Sequence, residues 1–332
     1  MKRLLFIIAF LATFAGCRSG KNLLPNVSGK AGEVVIVAEK SWWDGELGEE
    51  VRGLLGDECP YLAQQEPMYN LVQVTPGGFT EMFKVHRNIV SFNINPAVDT
   101  SAVLFRRNVW AAPQCVIQIC AKSARQAASM FADEGSKIAG AIEQAERDRV
   151  IANCIRYEEK EVSAKVSEVF GSTLRFPVGY KIKKLSHDFV WVADEKQYTN
   201  QGIFMYRYAT GDDKEPFTVE KMVEKRNEIL ALNVPGMFDG TYMTTSDFFP
   251  PILEYIRYKG RDFAELRAYW EVRNDFMGGP FASHSFYSAD GSEIIVLEAF
   301  VYAPKFDKRQ YLRQVESILW SWEDAPEKEA EE

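Results

Sequence analysis

Each half of this sequence closes with a strand followed by a long amphipathic helix, and this arrangement limits the fold more than any other feature. In the first half, residues 116–119 predict the strand, and the pattern from Ser123 to about Phe170 predicts helix. In the second half, Glu293–Tyr302 predicts the strand, and Asp307 is predicted to cap the final helix. The apolar face of that helix contains Tyr311, Leu312, Val315, Ile318, Leu319 and Trp322. Because an apolar stripe must pack against another layer, we predict an α+β protein made of two mixed α/β sandwich modules, residues 33–170 and 171–323.

Other segments fill in the two modules. In residues 33–38 the apolar side chains follow one another without alternation, which indicates a strand covered on both faces. Further strands are predicted at residues 71–74, 88–94, 102–106, 180–185, 189–193 and 203–208. Further helices are predicted at residues 44–55, at residues 78–85, and from Thr218 as cap to about residue 233.

The second half also contains a strand with a clear polar face. Residues 264–272 alternate between apolar and polar side chains, which predicts a half-exposed strand with Glu265 and Arg267 facing solvent. Residues 281–287 and 293–302 flank Asp290 and Gly291, a pair typical of a hairpin turn.

The amino terminus has the form of a lipoprotein signal. A basic start at residues 1–3 precedes eleven largely apolar residues, 4–14, and then Ala15, Gly16 and Cys17. Small residues before a cysteine resemble the bacterial lipobox, so residues 1–16 are predicted to be a signal peptide and Cys17 the site of lipid attachment. The alternative is ordinary secretory cleavage with an incidental cysteine. Residues 17–32 form a tether without an acidic run, which favours the periplasmic face of the outer membrane, with the lipid as the contact to the membrane.

The charge of the chain excludes one class of partner. Lys and Arg number 39 and Asp and Glu number 47, giving a net charge of -8, and residues 324–332 form an acidic tail. A nucleic-acid-binding protein needs clustered cations to neutralise phosphates, so no nucleic-acid partner is expected.

Four further cysteines lie in the mature chain, at Cys59, Cys115, Cys120 and Cys154. Cys115 and Cys120 are five residues apart on one predicted strand and point to opposite faces, so they cannot pair with each other. An oxidising compartment permits other pairings, and four buried free thiols are the alternative.

The sequence contains no motif that fixes a reaction. Neither G-x-S-x-G, G-x-G-x-x-G, H-E-x-x-H nor C-x-x-C occurs, and the three histidines lie about a hundred residues apart. We therefore assign no catalytic residue, no metal site and no cofactor.

Residues 144–157 form the first candidate contact site. Arg147 and Arg149 alternate there with Glu146 and Asp148. An arginine cluster can hold a carboxylate or phosphate of a partner. The alternative, which we favour, is a solvated helix face with local ion pairs.

Residues 270–285 form the second candidate site. We predict a tight turn at residues 278–280, which places Asp275 before the turn and His284 after it. A ligand contact or a nucleophilic site would use those two side chains. However, Ser283 and Ser285 point away from His284 on a strand, which favours a purely structural hairpin.

Several segments together resemble a known family. They are Leu23–Val37, Val109–Val116, Gln144–Asn153, Phe276–Phe286 and Tyr302–Leu319. They are similar to the Bacteroidetes lipoproteins grouped as domain-of-unknown-function family 4837, over almost the whole mature chain. The resemblance implies a cell-envelope lipoprotein and carries no activity. In element order the second half is similar to the PsbP and Mog1 type of sandwich, a binding fold.

These observations favour a non-enzymatic envelope lipoprotein that binds a protein partner or a small ligand. The alternative is a periplasmic hydrolase or other enzyme whose site is assembled only by the fold. His284 beside an acid in a deep pocket would favour the enzyme, and an exposed apolar surface would favour the binding protein.

Overall fold

The computed structural model describes residues 23–212 and 214–324. The predicted signal peptide, Cys17 and residues 325–332 of the acidic tail lie outside the described residues. Mixed helices and sheets form two modules, which confirms the predicted fold class. Within the described part of the chain, none of the helices combines the length and the apolar character needed to cross a membrane.

The first module is built on a five-stranded sheet. Its strands are β1 (Glu33–Val37), β2 (Asn70–Val74), β3 (Asn88–Ile94), β4 (Ala102–Arg107) and β5 (Cys115–Ala121), in the order β2-β1-β3-β5-β4. All neighbouring pairs are parallel except β4 and β5. Val34 and Ile36 pack into the core on one face, and Val35 and Val37 pack into a second cluster on the other, so the predicted double coverage of β1 is confirmed.

Helices cover this sheet, most of them on the face of Val34 and Ile36, whereas Phe83 of the short helix Glu81–Lys84 packs on the opposite face. They are α1 (Lys40–Trp43), α2 (Glu46–Leu55), α3 (Glu81–Lys84), α4 (Ala124–Asp133) and α5 (Gly135–Arg156), with a 3-10 turn at Pro76–Gly78. The helix predicted for residues 44–55 begins at Glu46, and the one predicted for 78–85 shortens to α3. The pattern from Ser123 to Phe170 divides into α4, α5 and α6 (Lys160–Phe170). The chain leaves α5 because residues 157–159 pair with another segment: Val178 N donates to Tyr157 O and Glu159 N to Phe176 O.

The second module is built on an antiparallel sheet. Its strands are β7 (Lys181–Leu185), β8 (Phe189–Lys196), β9 (Thr199–Ala209), β10 (Met243–Thr245), β11 (Ile252–Tyr258), β12 (Arg261–Val272), β13 (Gly278–Tyr287) and β14 (Glu293–Tyr302). The order is β10-β12-β13-β14-β9-β8-β7, and β11 also pairs with β12. Helix α7 (Val219–Asn233) packs on one face, and α6 and α8 (Arg309–Leu319) pack on the other. The predicted hairpin at Asp290 and Gly291 is confirmed. Two short strands, β6 (Ser172–Thr173) and β15 (Glu323–Asp324), pair with each other.

The polar face of β12 is not exposed as predicted. Ala264, Leu266 and Trp270 pack towards α7, as expected, but Glu265 on the opposite face is only 4% exposed. Helix α8 covers that face, because its own charged side chain Glu316 meets Arg267 there.

The turn between β12 and β13 lies earlier than predicted. Asp275 N donates to Val272 O, and Val272 N donates to Met277 O, so the turn closes over residues 273–277. Gly279 then lies inside β13, where a Cβ atom would come 1.9 Å from the carbonyl oxygen of Val301. Close approach of the next strand therefore requires this glycine, and the predicted turn at residues 278–280 is wrong.

The two modules join where α8 packs beside α5. The predicted cap on α8, Asp307, is wrong. Glu66 of the first module instead accepts the backbone N–H groups of Lys308 (2.6 Å) and Arg309 (2.9 Å). This cap links residues 242 and 243 positions apart, a distance that no local pattern can reveal.

A strap of residues 25–32 crosses the first module. Ala112 N donates to Pro25 O, Ser28 N donates to Val85 O, and Gly29 packs against the ring of His86. The second half of the predicted tether is thus fixed to the folded body.

Candidate functional site

Four side chains that can carry charge meet where β12, β13 and α8 pack together. Glu265 and His284 are cross-strand partners, and His284 Nε2 lies 3.1 Å from Glu265 Oε2. Arg267 donates to Glu265 Oε1 at 2.7 Å and to both oxygens of Glu316. We call Glu265, Arg267, His284 and Glu316 the buried charge cluster.

Glu265 is held ionised in this cluster. Burial alone would raise the pKa of its carboxyl, but Arg267 and His284 outweigh burial and lower the pKa to about 2. An ionised carboxylate can only accept hydrogen bonds, so His284 Nε2 carries a proton. Burial opposes the charge on Arg267, yet Glu316 and Glu265 raise its pKa well above the ordinary value.

The cluster has donors that could hold a metal ion. One ligand atom each from Glu265, His284 and Glu316 lies within 4.8 Å of the others. Arg267, however, already donates to both carboxylates and supplies a positive charge at that position. The residues present therefore fit a network of paired charges better than a metal centre.

Trp320 connects this cluster to Arg147. The guanidinium of Arg147 lies 3.7 Å from the centre of the Trp320 ring, and the His284 ring lies 4.7 Å from it. Two residues singled out from the sequence, Arg147 and His284, thus share one aromatic neighbour. Both are held by the protein itself, Arg147 also by a 3.1 Å hydrogen bond to Gln144.

The cleft between the modules extends from this point. Its volume is about 320 Å³. Four arginines and four glutamates line it: Arg147, Arg267, Arg309, Arg313, Glu143, Glu254, Glu265 and Glu316. Arg313 donates to Glu143 at 3.0 Å, and Tyr69 OH donates to the same carboxylate at 2.7 Å. Burial would raise the pKa of Glu143, but Arg313 lowers it overall, so Glu143 stays charged. The cleft is therefore lined by opposite charges that already neutralise one another.

Arg149 belongs to a different centre, around Glu146. Glu146 is 1% exposed and accepts from Arg87 Nη2 (2.8 Å), Asn88 Nδ2 (2.7 Å) and the backbone N–H of Gly32 (3.3 Å). Arg149 has an 8% exposed side chain that lies 3.1 Å from Glu146. It also donates to the backbone oxygens of Arg87 and Pro113. The favoured alternative of a solvated helix face is thus wrong for Glu146 and Arg149, because α5 lies over the sheet and strap.

Asp275 and His284 are not brought together. Asp275 lies in the exposed turn beside the fully exposed ring of Phe276, whereas His284 is 3% exposed in the middle of β13. Ser283 and Ser285 line a small space with Arg226 on the α7 side of the sheet. The opposite orientation of the serines and His284, expected from strand geometry, is confirmed.

The largest of these cavities is a groove between β4 and α5. It measures about 770 Å³. Its lining from the strand side comprises Phe105, Arg106, Arg107, Asn108, Pro113, Gln114 and Cys115. From α5 it comprises Lys137, Gly140, Ala141, Gln144, Ala145, Asp148 and Arg149. Small helix residues form the floor, and charged side chains stand at the rim.

The four cysteines of the mature part, Cys59, Cys115, Cys120 and Cys154, are free thiols. Burial raises the pKa of Cys59 and Cys115 to about 11 and that of Cys154 to about 12. These three thiols stay protonated at neutral pH, which lowers their reactivity.

Sequence reasoning missed most members of these centres. Arg226 of α7, to which the sequence assigned no role, forms a buried ion pair with Glu298 of β14 at 2.7 Å. Arg309, Arg313 and Glu316 follow helical spacing beside the apolar face of α8, a pattern that is typical of an exposed face, so their burial could not be predicted from it.

The family comparisons divide the chain at the same place as the structure. Residues 159–321 match the family described as Domain of unknown function (DUF4837), and residues 27–154 match Domain of unknown function (DUF8532). Each half of the chain is thus similar to a different family of unknown function. The resemblance to family 4837 is thus confirmed for the second half, and the first half matches a separate family.

Structural and curated comparisons add little. The Ran-binding protein Mog1p of Saccharomyces cerevisiae is similar at 9% identity and a TM-score of 0.32, over 47% of this chain and 93% of that chain. A mutant of protein Mog1 is similar at 8% identity and a TM-score of 0.30, over 47% of this chain and 92% of that chain. No curated protein matches the sequence.

Proposed function

We propose that this protein is a non-enzymatic binding protein of the bacterial cell envelope, held by a lipid on Cys17 at the periplasmic face of the outer membrane. The sequence of residues 1–17 supports the anchor. The groove between β4 and α5 carries the binding role. It is concave, with small residues of α5 and Phe105 of β4 on its floor and many polar and charged side chains around them, and a large concave groove is the usual place for a bound protein segment or small ligand.

The anchor is tested by acyl labelling. Cys17→Ser is expected to abolish incorporation of a labelled fatty acid and to change the membrane fractionation of the protein, because two or three acyl chains supply stable anchoring. Cys59→Ser is the matched control and is expected to keep the label. Persistent labelling of Cys17→Ser would reject the anchor.

The binding role is tested by filling the groove. Gly140 lines the groove and also borders the cleft between the modules, and a Cβ atom added there meets nothing within 4 Å, so Gly140→Leu adds a side chain at the groove without a clash at Cβ. Gly53→Leu is the matched control, because Gly53 is also an exposed helix glycine with open space. A stoichiometric partner captured from envelopes by the wild type and by Gly53→Leu, but not by Gly140→Leu, is the expected result. Equal capture by all three proteins would show that the partner does not bind in the groove.

A hydrolase is the second candidate, and one observation favours it. His284 is bonded to Glu265 and lies on the wall of an aromatic pocket of about 290 Å³. The pocket walls also include Tyr258, Phe263, Phe286, Trp320 and Trp322. A histidine oriented by a carboxylate is a common general base. A serine nucleophile would have to lie within about 3 Å of it, and Ser283 and Ser285 lie on the other face of the sheet.

A covalent probe separates the two candidates. A fluorophosphonate labels serine hydrolases at the activated nucleophile. We expect no labelling that depends on His284. Labelling of the wild type that His284→Gln abolishes in a folded protein would favour the hydrolase.

A further inference from the structure

We infer that the groove between β4 and α5 receives an extended acidic peptide segment, which adds as a further strand to the edge of β4. The inference rests on the proposed function, because it names the class of ligand for the same groove. Three observations carry it: an open sheet edge, two exposed arginines on that edge, and a floor of small residues.

Strand β4 is an edge of the first sheet. Among the described residues it pairs with β5 and with no further strand. An edge strand presents a row of unpaired N–H and C=O groups, and an extended peptide can pair with them. The second half of β4, from Phe105 to Arg107, is exposed and lines the groove, so this part of the edge is open to a ligand.

The charge of the groove is opposite to that of the protein. Arg106, Arg107, Lys137 and Arg149 line it against one acid, Asp148, whereas the whole chain has a net charge of -8. Asp148 lies 3.7 Å from Arg107 and partly neutralises it. Arg149 and Lys137 are also paired, with Glu146 at 3.1 Å and with Glu134 at 2.7 Å. Arg106, which has no acidic partner among the described residues, and the largely exposed Arg107 remain, and complementary charge at these two positions favours a ligand with carboxylates.

The floor explains why the ligand should be extended. Gly140, Ala141 and Ala145 leave space beneath the strand edge, with Phe105 and Cys115 beside it. Successive side chains of an added strand point to opposite faces. A segment that alternates apolar and acidic residues would therefore place one set on the floor and the other among the arginines.

The test uses synthetic peptides and the detergent-solubilised full-length protein. The probe is a peptide of about ten residues that alternates valine and glutamate, which spans about 33 Å when extended. One comparison peptide has lysine in place of each glutamate. A second keeps the glutamates but carries a methyl group on every backbone nitrogen, which removes the hydrogen-bond donors of both strand edges without changing charge. Binding is measured by fluorescence anisotropy at two salt concentrations.

The glutamate peptide is expected to bind at least about tenfold more tightly than either comparison peptide, and more weakly at high salt. Arg106→Glu is expected to weaken its binding by about tenfold. Arg257→Glu is the matched control, since Arg257 is an exposed arginine on β11, another outer strand, and it should change little.

Other outcomes overturn the inference in distinct ways. Equal binding of the methylated peptide would reject strand addition, and equal binding of the lysine peptide would reject the acidic ligand. Binding of vesicles that contain anionic phospholipid, lost in Arg106→Glu without any peptide binding, would assign the groove to a lipid instead. Absence of peptide binding would overturn the inference even if capture of a partner still depended on Gly140, in which case the proposed function would stand.

Discussion

Glu265 and His284 lie directly opposite each other on two antiparallel strands, 3.1 Å apart, with both side chains almost fully buried. Cross-strand partners of this kind normally stabilise a sheet by a few tenths of a kcal/mol. Here the pair belongs to the buried charge cluster, so its contribution to the stability of the protein depends on pH and on every member of the cluster.

Acid should destabilise the protein through Glu265. Its pKa is about 2 in the folded protein and near 4.5 in an unfolded chain, so its contribution is complete above pH 4.5 and is lost as pH falls towards 2. Urea denaturation of Glu265→Gln from pH 7 to pH 3 should therefore show lower stability at pH 7 and a smaller loss on acidification than the wild type. Asp262→Asn, an exposed carboxyl on the same strand, is the control; if it flattens the profile equally, Glu265 is not the group responsible.

His284 and Asp275 should respond in opposite ways to truncation. His284→Ala removes a ring packed on Phe263 and Trp320 and leaves Glu265 with one partner fewer, which should cost about 2 to 4 kcal/mol. Asp275→Ala, in an exposed turn, should change stability by less than about 0.5 kcal/mol. Thermal and urea denaturation measure both. A stable His284→Ala protein would contradict the packing described for β13.

Glu66 should stabilise the contact between the two modules. Glu66→Ala removes the acceptor for two N–H groups at the start of α8, and the loss should cost about 1 to 3 kcal/mol. Glu58→Ala, an exposed glutamate eight positions earlier, should have little effect. Limited proteolysis should cut Glu66→Ala more readily near residues 303–308. Equal protease resistance and equal unfolding midpoints in the two variants would show that this cap is dispensable.

Gly279 should tolerate no side chain. In Gly279→Ala the added Cβ atom would meet the carbonyl oxygen of Val301, so β13 must move away from its neighbour at a cost above about 2 kcal/mol. Gly77→Ala adds the same atom into open space and should be neutral or slightly stabilising. Circular dichroism melting compares the two. Similar melting temperatures would place Gly279 outside the strand.

Local patterns predicted much of this fold because their causes are local. The run Val34–Val37, the alternation in β12 and the hairpin at Asp290 each depend on neighbours a few residues away. The burial of Glu265, Arg267 and Glu316 could not be predicted in the same way, because it depends on charged partners that come together only when β12, β13 and α8 pack. A polar face predicted from alternation is exposed only if no other charged face covers it, and here α8 does.

The candidate site shows the same division. Arg147 and His284 were recognisable as unusual residues, but their common neighbour Trp320 lies 36 or more positions from each. Arg149 was identified correctly as part of a charged run, yet the backbone oxygens it binds come from Arg87 and Pro113. The partners of these residues lie far away along the chain, so a local sequence pattern cannot predict them.

The strap limits how far the folded protein can lie from its proposed lipid anchor. With lipidation at Cys17 as proposed, only the residues between Cys17 and Pro25 separate the acyl chains from a point bonded to Ala112, and eight extended residues span at most about 29 Å. Pro25, and with it the loop around Ala112, would then lie within about 29 Å of the lipid-bearing residue. Pro113 and Gln114 follow in that same loop and line the groove. Any segment entering the groove would thus be met near the membrane surface, and a partner anchored in the same leaflet would need little length of chain to arrive there.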